Sequence, residues 1–188
     1  MNCEQRLIEE YWVSFEQESS KKSIAAAFGI CDAIKISLII IFVAFSLLVK
    51  FVGVDGESME PTLKNGDILC ISSGISSPKR GDIVVISQPW EKNIPIIKRI
   101  IGIEGDEIDI DFASGEVFVN SEKLNESYIN SKTNLEYDLS FPLTVEKGKV
   151  FVMGDNRNDS LDSRSSQIGQ IDENYILGKV YFKLFNLG

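Results

Sequence analysis

With 188 residues and 44% hydrophobic content, the chain suits one ordinary domain with a few tens of residues to spare, and it is too apolar for disorder. A formal net charge of −9 argues against nucleic acid as a partner, because neutralising phosphates requires a basic face. Cys3, Cys31 and Cys70 are far apart, no CxxC pattern occurs and there is no histidine, so neither a metal centre nor a disulfide framework is expected and no cofactor is called for.

The N-terminal arm, residues 1–32, sets Leu7, Ile8, Tyr11, Trp12 and Phe15 at helical spacing. An amphipathic helix and a frayed, solvated segment are equally open there. Next comes AIKISLIIIFVAFSLLVKFVGV, residues 33–54, with an uncharged centre from Ile36 to Val49. That centre rises roughly 21 Å as a helix, and snorkelling of Lys35 and Lys50 extends it toward the roughly 20 residues a span requires. A buried core helix and a cleaved signal peptide are the competing readings; the absence of a polar face and the long acidic lead-in favour an uncleaved single-pass transmembrane anchor. Lys21, Lys22 and Lys35 precede the run and Lys50 and Lys64 follow it, which leans toward a cytoplasmic N-terminus.

Beyond residue 54 the period changes from helix to strand. GDILCIS (66–72), GDIVVIS (81–87) and GDEIDI (105–110) each launch a β-branched run from a Gly-Asp turn. PIIKRIIGI (95–103), GEVFVN (115–120), KVFVM (149–153) and ILGKVYFKL (176–184) add further strands. The expected body, residues 55–188, is therefore a mainly β, antiparallel domain. Residues 121–148 are polar and broken, and read as a long loop or excursion.

Ser58 in GESMEPTL lies just past the apolar run, and without histidine any base for it must be another side chain. A desolvated lysine amine can serve. Lys98 is the candidate, because Ile94, Ile96, Ile97, Ile100 and Ile101 surround it and Ile96 and Ile100 would share its strand face. An edge-strand lysine facing solvent beside Arg99 is the other reading. A third stretch, MGDNRNDSLDSR (153–164), packs charged and hydroxyl groups directly after an apolar strand, as a positioning loop would.

Together, GESMEPTL, IIKRIIGIEGD and GDNRNDSLDSR resemble, in order and spacing, the type I signal peptidase family. The 40-residue interval from Ser58 to Lys98 is similar to that of the compact Gram-positive, single-anchor members. The resemblance runs from about Ile34 to the C-terminus.

It implies Ser58 as nucleophile and Lys98 as general base, with Ser160 hydrogen-bonding the Lys98 amine. Asp162 and Arg164 would brace the loop as a salt bridge, with Asp155 and Arg157 in structural roles. The Ser58 N–H would help hold the oxyanion; Gly56 stands where some members carry a second, hydroxyl donor. Met59 would line a shallow substrate pocket. The implied function is a membrane-anchored serine endopeptidase with an extracytoplasmic catalytic domain, cutting signal-peptide-bearing precursors after small-x-small motifs at the lipid bilayer. The alternative is a specialised relative that processes pilin-like substrates or acts partly as a pilus-assembly chaperone. Self-cleaving repressors share the dyad, but no DNA-binding domain or scissile Ala-Gly linker occurs here.

Overall fold

A computed structural model of the chain describes residues 17, 28–44, 46, 49–72, 77–87 and 94–186. The chain divides into two compact units, Met1–Leu47 and Leu48–Gly188. The arm's apolar cluster, Leu7 to Phe15, lies outside the described residues.

In the first unit, residues 28–44 are helical. Their apolar side chains are exposed, among them Phe28, Ile34, Leu38, Ile40 and Phe42. Among the described residues no helix is long and apolar enough to cross a membrane. The stretch expected to anchor the chain, 33–54, divides. Its first part is in this helix, whereas Val49–Gly53 forms strand β1. The physical reason is a partner: Phe51 pairs with Cys70 and Val52 with Leu69 across an antiparallel ladder. Hydropathy alone does not separate an apolar helix from a strand that continues it.

The second unit contains β2 (Asp67–Ser72), β3 (Ile83–Ile86), β4 (Ile96–Gly102), β5 (Glu107–Asp111), β6 (Glu116–Val119), β7 (Glu122–Lys123), β8 (Leu143–Thr144), β9 (Lys149–Met153), β10 (Ile171–Asp172) and β11 (Ile176–Asn186). They make a seven-stranded sheet, β1-β2-β11-β3-β4-β9-β10, and a four-stranded sheet, β7-β6-β5-β8. Every pairing is antiparallel.

The three Gly-Asp turns share one construction. Gly66, Gly81 and Gly105 have φ of 82°, 88° and 83°, where a side chain is disfavoured. The following aspartate then caps its own turn: Asp67, Asp82 and Asp106 accept the N–H three residues back, from Lys64, Lys79 and Ile103, at 2.8, 3.2 and 2.9 Å.

Strands β4 and β9 are buried on both faces. Ile100, Val150 and Val152 join Val84, Ile86 and Ile171 in one core cluster, while Ile101, Phe151 and Met153 pack with Ile108, Ile110, Val117 and Val119 of the smaller sheet. That double burial explains the unbroken apolar runs in these two segments. A third cluster, Val54, Met59, Leu63, Leu69, Ile71 and Val85, seats the turn that carries Ser58. At the far end of the large sheet, Phe51, Tyr181, Phe182 and Phe185 remain exposed.

Candidate active site

Ser58 sits in a tight turn. Gly56 enters it with φ of 102°, and its N–H donates to Asn65 Oδ1 at 3.1 Å. Glu60 N–H closes the turn onto Glu57 O at 3.0 Å. Met59, 1% exposed, and Leu63 anchor it in the core. Ser58 itself is half-buried.

Lys98 lies mid-strand in β4, opposite Val84 of β3. Its side chain arrives at Ser58 with Nζ 2.7 Å from Oγ. Only 4% of Lys98 is exposed. Burial, the largest influence, pushes its amine down from the usual range to about 8; Asp162 pulls it up, Arg164 pushes it down and Asp155 pulls it up. Neither carboxylate is free to pair with it, because Asp162 holds Arg164 at 2.8 Å and Asp155 holds Arg99 at 2.6 Å. The pair opens onto a cleft of about 260 Å³ whose apolar wall includes Val52, Met59, Ile94, Pro95 and Ile97.

Behind the pair lies a buried polar frame built on the loop after β9. Asp155, fully buried, takes a two-pronged grip from Arg99 Nε and Nη2 at 2.7 and 2.6 Å, and accepts from the Thr62 hydroxyl. One carboxylate thereby ties the Ser58 turn, β4 and the loop together. Asp162 and Arg164 are likewise fully buried. Arg164 Nε and Nη2 donate to Asp162 at 2.8 and 2.9 Å, and Nη2 also reaches Arg157 O and Ser160 O. Ser160 Oγ donates to Asp162 Oδ2 at 2.9 Å rather than to Lys98; a buried carboxylate is a stronger acceptor than an amine. Asn156 N–H donates to Ser58 O at 3.0 Å, and its Nδ2 to Glu57 O at 3.2 Å.

Several of these partners carry no local sequence signal. A Cβ at Gly154 would lie 2.2 Å from Ser160 Oγ and 2.4 Å from Ser58 O, so only glycine permits the loop to close on the nucleophile's turn. The 121–148 excursion is tied to the loop throughout. Asn158 Oδ1 accepts from Asn134 and Leu135 N–H, Arg157 pairs with Glu126 at 2.5 Å and donates to Thr133, and the Tyr128 ring covers Arg99 at 4.0 Å. Arg99 was legible only as Lys98's neighbour. A larger hollow of about 430 Å³ beside the excursion has its charges already spoken for, Glu116 by Lys123 and Lys132 and Glu126 by Arg157.

A buried hydroxyl–amine contact of this kind suits acyl transfer without histidine. Comparison with known proteins identifies the family. The family model described as signal peptidase, peptidase S26, matches residues 28–185. The chain is 38% identical over 177 residues to signal peptidase I P of Bacillus subtilis subsp. natto, covering 87% of this chain and 91% of that relative. It is 32% identical over 173 residues to signal peptidase IB of Staphylococcus aureus, covering 81% and 86%. A solved signal peptidase I from Enterococcus faecalis aligns with TM-score 0.46 and 29% identity over 57% of this chain and 100% of that one. These relatives are signal peptidases I, and the pilin-directed alternative is not favoured. With the match spanning the body and reaching back into the helix, the chain belongs to the signal peptidase family, peptidase S26.

Proposed function

We propose that the chain removes signal peptides from secreted precursors at a membrane surface, with Ser58 as nucleophile and Lys98 as its base. The observation that carries this reading is the 2.7 Å contact between Lys98 Nζ and Ser58 Oγ, made by an amine that burial holds near pKa 8. In its neutral form Lys98 accepts the Ser58 proton while Oγ bonds to the scissile carbonyl carbon. The resulting oxyanion is held by the Ser58 N–H. Collapse breaks the C–N bond, Lys98 returns the proton to the leaving amine, and Ser58 is left acylated. A water then gives a proton to Lys98 as it bonds to the ester carbon, the C–O bond to Ser58 Oγ breaks, and Lys98 returns that proton to Oγ as the signal peptide leaves with a new carboxyl terminus. Asp155 and Asp162 hold the frame through their pairs with Arg99 and Arg164, and their upward pull on the Lys98 pKa is outweighed by burial.

The apolar lining of the cleft, with Met59 in its wall, supports binding of uncharged side chains, in keeping with cleavage after small-x-small motifs. The exposed apolar residues of the helix support an anchor, single-pass with its N-terminus in the cytoplasm and the β body outside. Ser58 follows Lys50 by eight residues, a reach of at most roughly 29 Å. Exposed Phe51, Tyr181, Phe182 and Phe185 support a body resting on the bilayer. The test is cleavage of a precursor with a small-x-small site by the purified full chain in detergent. Ser58→Ala and Lys98→Ala are each expected to lower the rate at least about 10³-fold; substantial activity in either overturns the assignment.

A further inference from the structure

Gly56 leaves the oxyanion site without a hydroxyl donor, and its own N–H is committed to Asn65 Oδ1. The Ser58 N–H is the donor that remains: among the described residues it donates to no protein acceptor, on a half-buried residue at the cleft. The direction in which this donor points therefore matters to how well the site holds an oxyanion. From this geometry we infer that Asn156 is the positioning residue that aims it.

The Glu57 carbonyl and the Ser58 N–H belong to one planar trans peptide, so they point in opposite directions. Fixing the carbonyl therefore fixes the N–H. Two donors hold Glu57 O, the Glu60 N–H at 3.0 Å from within the turn and Asn156 Nδ2 at 3.2 Å from the loop after β9. The backbone of Asn156 holds the next peptide in the same way, its N–H on Ser58 O at 3.0 Å. Both peptide units flanking the nucleophile thus lean on one residue. That residue can stand so close because Gly154, two positions earlier, has no Cβ to strike Ser58 O.

The Asn156 side chain bonds neither Lys98 nor a residue of the cleft lining, and the one contact with that lining is the backbone bond to Ser58 O, so the side chain's effect belongs to the transition state and not to the base or to ground-state binding. This rests on acylation at Ser58. Removing the side chain leaves the backbone bond to Ser58 O intact and frees one of the two restraints on Glu57 O.

The experiment compares the full-length wild type with Asn156→Ala and Asn156→Leu, on a precursor peptide and on a peptide aldehyde ending in alanine. The aldehyde adds Ser58 as a hemiacetal whose oxygen occupies the oxyanion position. Both variants are expected to lose about 10- to 30-fold in kcat with KM within about twofold. The inhibition constant of the aldehyde should rise by a similar factor, with the pH midpoint of kcat unmoved. Both constants are measured at a temperature where circular dichroism shows each variant fully folded, because an unfolded fraction would raise KM and the inhibition constant alike. Unchanged aldehyde binding, a parallel rise in KM, or a displaced pH midpoint overturns the inference. A wild type that leaves the precursor uncut overturns the Ser58 reading instead.

Discussion

Two adjacent cations on β4 meet opposite fates. Lys98 and Arg99 are both buried in the protein, 4% and 9% exposed. For Arg99, burial works against the charge, yet the hydrogen bonds and charge of Asp155 outweigh it and raise its pKa. Lys98 has a hydroxyl and apolar walls instead of a carboxylate, and burial wins. The same depth in the fold thus yields a permanent structural cation and a titratable base. What separates them is whether a counter-charge was supplied.

Exchanging the two chemistries should have the largest effect. Lys98→Arg installs a group that cannot lose its proton near neutrality, and cleavage should fall at least about 10³-fold despite the retained charge. Asp155→Ala strands Arg99, and the unfolding free energy should drop by about 3–5 kcal/mol in denaturant titration. Lys98→Met should move stability the other way while destroying activity. A lysine whose folded pKa is depressed penalises the folded state while it is charged. The variant should therefore gain about 3 kcal/mol over wild type below pH 8. That advantage should shrink as the pH climbs from about 8 toward 10.5, because the folded wild type sheds its proton there while the unfolded chain keeps it. In the wild type, kcat/KM should rise about tenfold between pH 7 and pH 9, following the neutral amine. Lys123→Ala is the small end of the scale. Its pair with Glu116 is exposed, and stability should change by less than about 1 kcal/mol.

Much of this was legible before any coordinates. The strands announced themselves because three begin at Gly-Asp turns and all are rich in β-branched or aromatic residues, and all seven expected runs became strands. Ser58 and Lys98 stood out through the resemblance of three boxes in order and spacing, not through either box alone, and the structure brings them within 2.7 Å. What escaped is held by long-range contact. Val49–Gly53 read as the end of an anchor, since its sheet partner β2 lies beyond the nucleophile. Ser160 was expected on the Lys98 amine, but which acceptor a hydroxyl selects depends on where Asp162 lies. Thr133, Glu126 and Tyr128 belong to a polar excursion whose sequence gives no hint that it supports Arg157 and Arg99.

Direct titration of the Lys98 ε-amine, by NMR of lysine labelled at Cε and Nζ, measures the central quantity. The full chain in detergent would be used, with the resonance assigned by its loss in Lys98→Met. A midpoint near 8 means that one unpaired, shielded nitrogen beside an alcohol does the work of the missing imidazole. A midpoint near the ordinary lysine value of about 10.4 would contradict that account.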